Sequence, residues 1–312
     1  MAQFTQARRS DRTLAAAAMI LGYAVVIGFT DNYVRVIAAE AGLWQFHAAR
    51  GAMALTLLAL LARPLGLRLR PVNAGAVAAR SAIHATAMLA YFGCLAFLPV
   101  ATVAAGLFTA PIFVLLISHF AFGHPVGPFR IAAVALGFVG VVLVLGPAAG
   151  ERIGPATVLP VAAGALYALG NLATREWCAR ESAETLLAGF FLTLGIFGLI
   201  GIGVIALWPP VTPAGTEGFV LRGATPLTPT FLFLTFVQAA GSLLGVGLMI
   251  RAYQIAEASR VAIFEYVILP ASAIWTYLIW GEALSPRAAA GMALIFLAGL
   301  LIVLRRGRGS AP

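Results

Sequence analysis

Long apolar runs alternate with short polar breaks along almost the whole chain. The runs fall at roughly 14–37, 44–62, 74–97, 100–121, 128–146, 155–174, 184–207, 230–252, 259–280 and 286–304. A hydrocarbon core about 30 Å thick needs about 20 apolar residues of helix, and each run is long enough to meet that need. The pattern predicts ten membrane-spanning helices. The tightest connection is Leu98-Pro99-Val100, where proline cannot continue a helix comfortably and a sharp reversal is expected. The first run has features of a signal peptide, with arginines before it and Ala39-x-Ala41 after it. It is longer than an ordinary signal core and contains Asp31, Asn32 and Arg35, so it reads as a retained span.

Composition sharpens this picture. Of 312 residues, 62% are hydrophobic and 10% charged, against roughly 25% charged in an ordinary soluble domain. A soluble globule of this size could not cover its surface, which leaves an integral membrane protein and sets aside a nucleic-acid module despite the net charge of +9. Topology accounts for the charge. With the N-terminus in the cytoplasm, fifteen arginines fall on the cytoplasmic side: Arg8, Arg9, Arg12, Arg63, Arg68, Arg70, Arg80, Arg130, Arg175, Arg180, Arg251, Arg260, Arg305, Arg306 and Arg308. Only Arg152, Arg222 and Arg287 fall on the other, and Arg35 and Arg50 lie within spans. The excess follows the positive-inside rule and predicts a multi-pass protein of the bacterial inner membrane with both termini cytoplasmic.

The chemistry available is restricted. All 20 basic residues are arginine, so neither a lysine Schiff base nor a P-loop lysine can form. No metalloprotease motif, nucleophile elbow or carboxylate cluster of metal-binding spacing occurs. Rings of like charge and a filter loop are also missing, which weighs against a channel. No cofactor, no metal and no enzymatic activity are expected. A membrane-embedded enzyme and a channel stand as the alternatives. Cys94 and Cys178 sit in or beside apolar runs and read as buried thiols. The expected partners are a small-molecule substrate and the lipid bilayer, with no nucleic acid, for a monomer or homodimer.

The chain also repeats itself. Pro111 and Pro270 lie mid-span, followed by span ends at Gly123-His124 and Gly281-Glu282 and by helix-starting Pro128 and Pro286. The first pair is 159 residues apart and the others 158. Asn32 and Asn171 occupy similar places in the first and sixth spans. Two five-helix halves, 1–147 and 148–312, follow. Because five is odd, the second enters the membrane from the opposite side, the inverted repeat used by many secondary transporters.

This layout resembles the drug/metabolite transporter superfamily, and within it the EamA-type exporters. The resemblance rests on Phe46-x-x-x-Arg50, Pro111, Pro270 with Gly281-Glu282, and glycine-rich fifth and tenth spans bearing Gly137, Gly140, Gly291 and Gly299. His124 stands where such repeats usually carry Glu, and Gly189 near where a match for Arg50 would stand. The resemblance implies a helical basket around a central cavity lined by spans 1, 3, 4, 6, 8 and 9, with spans 5 and 10 packed behind it. It further implies export of small metabolites by alternating access, amino acids among them, with aromatic amino acid exporters the nearest kind.

Ionisable groups in a bilayer cost at least ~2.5–3.5 kcal/mol on insertion scales, so each is a candidate for function. Asp31 and Arg50 lie at similar depth in the first two spans and could form an ion pair, locking two helices or serving a substrate amine and carboxylate. His84, Met88 and Tyr91 share one face of the third span. A histidine there suits proton coupling, polar recognition or a plain hydrogen bond to a neighbouring helix. Asn32, Asn171, Gln238, Ser242, Ser272 and Trp275 complete the substrate-binding candidates. Arg50, Pro111, Glu265 and Pro270 are the gating or structural candidates, with a kink expected near residues 266–270. Glu265, close to the cytoplasmic boundary, is expected to pair with Arg260 or Arg251. His47, near a span end, reads as an interfacial anchor.

Overall fold

The computed structural model describes residues 2–94, 98, 100–145, 158–282 and 285–304. Among these there is no strand, and every expected apolar stretch is occupied by helix. The helices are α1 (Ala2–Asp31), α2 (Val34–Glu40), α3 (Leu43–Ala62), α4 (Ala74–Cys94), α5 (Val100–Leu107), α6 (Ala110–Phe120) and α7 (Pro128–Leu145). They continue as α8 (Val158–Glu176), α9 (Ala183–Leu207), α10 (Pro229–Ile255), α11 (Ala258–Glu265), α12 (Ile268–Trp280) and α13 (Pro286–Leu304). Pro99, Arg152, Arg305, Arg306, Arg308 and the boundary between residues 147 and 148 lie outside the described residues.

Local chemistry sets the ends. Ser182 and Thr228 each accept a bond from a backbone N–H three residues on (3.1 Å for both), capping α9 and α10. Asn73 and Ser285 do the same for α4 and α13. Gly281 closes α12 at φ 68°, a left-handed conformation that costs glycine little.

Among the described residues, three apolar stretches hold broken helices. The first breaks at Asn32-Tyr33, the fourth at Phe108-Thr109 and the ninth at Tyr266-Val267. Pro111 lies in the first turn of α6, immediately after its break, and Pro270 is the third residue of α12. Both prolines therefore sit where a missing N–H leaves no intrahelical bond unmade. The kink expected near 266–270 is this break.

Among the described residues, six helical stretches are long and apolar enough to cross a membrane: Arg12–Glu40, Leu43–Ala62, Val103–Phe120, Ala183–Leu207, Pro229–Ile255 and Ala258–Trp280. Pro128–Val144 and Pro286–Ile302 are apolar but shorter. The surface and interior have exchanged their usual polarity. Phe233 and Phe296 are 66% and 68% exposed, whereas Gln238 and Arg80 are 0% and 1% exposed. In water that arrangement would be costly; facing lipid it is the expected one. The protein is a multi-pass membrane protein.

The helices pair as α1 with α10 and α12, α8 with α4, α5 and α6, α3 with α9, and α7 with α13. Glycine makes the last two crossings close. A Cβ on Gly140 would lie 2.7 Å from the Gly291 carbonyl oxygen, and one on Gly291 2.6 Å from that of Gly140. At α3–α9, a Cβ on Gly51 would lie 2.7 Å from the Phe191 carbonyl oxygen.

The connecting segments gather at two ends. At one, Leu43 N–H donates to Phe219 O (2.7 Å), Arg222 donates to Ala38 O (2.7 Å), and Arg35 meets Glu282 (2.8 Å). At the other, Glu181 accepts from the Val72 and Asn73 N–H groups (2.9 and 2.6 Å), and Arg130 pairs with Glu257. We call these the first and second ends.

Candidate functional site

Two buried polar clusters occupy the interior between these ends. The first joins α1, α3 and α10. Gln238 Nε2 donates to Asp31 Oδ1 (3.0 Å), and Ser242 Oγ lies 3.5 Å from Gln238 Oε1. Arg50 Nη2 donates to Ser242 Oγ (2.5 Å), and the guanidinium carbon stands 5.6 Å from the ring centres of both Phe46 and Phe191. A relay stands where the sequence left an ion pair open. Asp31 and Arg50 do not touch, because Gln238 and Ser242, one turn apart on α10, fill the space between them. Arg50 is only 6% exposed, and its Nε and Nη1 have no hydrogen-bond partner among the described residues.

Asn32, at the α1–α2 break, fastens that break to α12. It donates to Gly28 O (2.6 Å) and Ser272 O (3.4 Å) and accepts from Thr276 Oγ1 (2.8 Å). Trp275 donates its indole N–H to Val25 O (2.9 Å) and stacks edge-on against Phe29. Ser272 enters this network through its backbone oxygen.

The second cluster joins α1, α8, α10 and α11. Glu265, the last residue of α11, accepts from Tyr167 Oη (2.9 Å), Asn171 Nδ2 (3.3 Å) and Tyr253 Oη. Tyr167 Oη is also 2.9 Å from Met249 Sδ and 3.5 Å from Tyr23 Oη. His84 stands edge-on to Tyr167, ring centres 5.4 Å apart, packed against Gly170, where a Cβ would collide with the imidazole. Met88 and Tyr91, on the same face of α4, remain half-buried. Tyr23 and Asp31, eight residues apart on α1, set the clusters about 12 Å apart along the bundle.

The structure corrects several expectations. Glu265 does not pair with Arg260 or Arg251. Arg260 binds Glu257 (3.2 Å) and Arg251 faces Gln254, because α11 turns the carboxyl inward. Arg80 is no loop charge. It is buried one turn and a half into α4, donating to Thr174 Oγ1 (2.9 Å) and Leu186 O (3.3 Å). His47 is no interfacial anchor, being fully buried beside Phe46 and Phe92 with neither ring nitrogen bonded among the described residues. Cys94 and Cys178 are free and buried, as expected.

Tyr23, Tyr253 and Met249 join the second cluster without having stood out as candidates in the sequence. Tyr23 lies two turns before Asp31 on the same face, a spacing that could have flagged it. Among the described residues no cluster of three or more His, Cys, Asp or Glu could hold a metal. A separate recess of about 270 Å³, lined by Trp44, Leu89, Phe197, Ile200, Gly201, Val204 and Ile205, is apolar and includes none of these polar groups.

An apolar bundle with a few buried, convergent polar groups matches the chemistry of a small-solute pathway. Comparison with known proteins defines the class. The chain is 30% identical over 237 residues to a riboflavin transporter of Rhizobium johnstonii, covering 74% of this chain and 72% of that one. A riboflavin transporter of Brucella anthropi is 26% identical, with 86% and 88% covered. An S-adenosylmethionine uptake transporter of Rickettsia bellii is also 26% identical, with 66% and 64% covered. No family profile matches the chain. A protein of known crystal structure superposes with a TM-score of 0.73 over 95% of this chain and 99% of its own, at 20% identity, a likeness of fold alone. The chain is a multi-pass membrane transporter. It belongs to the family that includes the R. johnstonii transporter.

Proposed function

We propose that this protein is a secondary transporter of the bacterial inner membrane that takes up riboflavin, or a solute of the same chemistry, by alternating access. The relationship to the R. johnstonii riboflavin transporter carries the reading. The interior suits such a solute: a planar heterocycle buries its faces against apolar walls while its polar edges meet Asp31, Gln238, Ser242 and Arg50. Asn32, His84, Met88, Tyr91, Asn171, Ser272 and Trp275 surround or brace that path.

In this reading the chain crosses the membrane ten times, as two inverted halves, 1–147 and 148–312, with α1–α2, α5–α6 and α11–α12 each forming one crossing. Helix pairing supports it. Exchanging the halves turns the α1–α10 pair into α8–α4 and the α1–α12 pair into α8–α6, while α3–α9 and α7–α13 map onto themselves. The breaks at Phe108 and Tyr266 are likewise 158 residues apart. Arginine placement supports cytoplasmic termini, since Arg63, Arg68, Arg70, Arg130, Arg175, Arg180, Arg251 and Arg260 all belong to the second end. Two equivalent halves of opposite insertion give two near-equivalent states, one open to each side.

Amino acid export, which the superfamily resemblance implied, has less support, because the relatives are named for riboflavin transport and S-adenosylmethionine uptake. S-Adenosylmethionine is the second reading: its amino-acid head would match Asp31 and Arg50, which lie at opposite ends of one relay. Counterflow decides. Proteoliposomes preloaded with unlabelled riboflavin are expected to accumulate labelled riboflavin transiently, and those preloaded with S-adenosylmethionine or phenylalanine are not. Accumulation equal to that of empty liposomes would overturn the riboflavin reading.

A further inference from the structure

Glu265 is 7% exposed, near the second end of the bundle, and every group that bonds it among the described residues is neutral. An ionised carboxylate held there without a cation is expensive, and such groups ordinarily gain a proton or a positive partner. Among the described residues, no charged group of a neighbouring element bonds Glu265. Arg130 of α7 binds Glu257, Arg175 of α8 binds the Tyr253 and Ala256 carbonyls, and His119 of α6 faces the His124 carbonyl. On α10, Arg251 meets Gln254, and among the described residues α13 carries only Arg287, at the opposite end. From α1 the one titratable group facing the cluster among the described residues is Tyr23.

The hydrogen bonds around Glu265 can accommodate either protonation state without moving a heavy atom. A tyrosine hydroxyl has one proton to give and can accept in turn. Tyr167 Oη lies 2.9 Å from both Glu265 Oε2 and Met249 Sδ. With the carboxylate ionised, Tyr167 donates to Oε2. With Oε2 protonated, the carboxyl donates to Tyr167 Oη and Tyr167 turns its own proton to Met249 Sδ. The buried Asn171 Oδ1, which has no partner among the described residues, leaves one more acceptor beside the carboxyl.

We propose that Glu265 is the coupling-proton site of the transport cycle. One proton from water on one side of the membrane binds Oε2 and neutralises the carboxylate. The same O–H bond breaks after the site turns to the other side, returning the proton to water there. Tyr167 is the positioning residue that keeps both states bonded. The proposal rests on the alternating-access reading but not on riboflavin as the substrate.

Infrared titration of the purified, lipid-reconstituted protein tests it without any substrate. A carboxylic C=O band that disappears on alkalinisation is expected in the wild type and in Asp31→Asn, and is expected to be lost in Glu265→Gln. A band unchanged by Glu265→Gln overturns the proposal. If Glu265→Gln does not fold, Tyr167→Phe, which spares the carboxyl, is expected to shift the midpoint of the band, and an unmoved midpoint overturns the proposal instead. Where riboflavin counterflow is present, the ratio of uptake with an inward proton gradient to uptake without one is expected to fall to about one in Glu265→Gln, whatever its basal rate; a ratio equal to the wild type overturns the proposal. Absent counterflow counts against riboflavin, and the infrared band then decides Glu265 by itself.

Discussion

Arg50→Met is expected to reduce riboflavin counterflow by about tenfold to a hundredfold, the equivalent of one lost hydrogen bond to a charged group, worth ~1.5–3 kcal/mol. Methionine keeps much of the volume between Phe46 and Phe191 but removes the only donor to Ser242 Oγ that belongs to the relay. It also removes the positive charge that stands at the other end of the relay from Asp31. Lysine is not expected to rescue, because an ammonium cannot reproduce a planar fork lying between two rings. The double variant Arg50→Met/Asp31→Asn is expected to regain part of the thermal stability lost in Arg50→Met, since the orphaned carboxylate has gone. Counterflow rates and melting temperatures in detergent check both statements, and strict additivity of the two substitutions would deny the coupling.

Gly140→Val is expected to lower stability more than Arg50→Met does. Its Cβ would lie 2.7 Å from the Gly291 carbonyl oxygen, and backbone cannot yield as a flexible side-chain tip can. The α7–α13 crossing would have to open, at ~1–3 kcal/mol or more for overpacking of this kind. Gly203→Val serves as the comparison, because a Cβ there meets nothing within 4 Å. A melting temperature in detergent markedly lowered for Gly140→Val and unchanged for Gly203→Val is the expected result. Equal melting temperatures would mean that α7 and α13 do not pack as described.

Much of the fold was legible in the sequence because lipid imposes a simple rule on apolar run length. Each expected run holds helix, and Pro270 announced the break at Tyr266-Val267. The interior was less legible. Arg80 follows a loop that carries Arg68 and Arg70, so its charge read as one more inside signal, and only packing against α8 and α9 buries it. His47 lies near a helix start, where an anchor and a buried ring look alike in sequence. Tyr253 and Tyr23 are apolar enough to pass for packing until Glu265 turns inward to Tyr253 and to Tyr167, which Tyr23 meets in turn. Asp31 and Arg50 stood out as charges in apolar runs. That Gln238 and Ser242 would separate them depended on the rotation of α10, which a nearly uniform apolar sequence does not reveal.

The central claim is that the two polar clusters lie on a path that opens in turn to each side of the membrane. Ser242 is buried midway along α10, with no exposure in this state. Ser242→Cys, in a background with Cys94 and Cys178 replaced by serine, offers a single thiol at that point. A membrane-impermeant thiol reagent is expected to label it slowly in both right-side-out and inside-out vesicles, and riboflavin is expected to slow labelling from either side. Labelling from one side alone, or from neither, would contradict alternating access through this core.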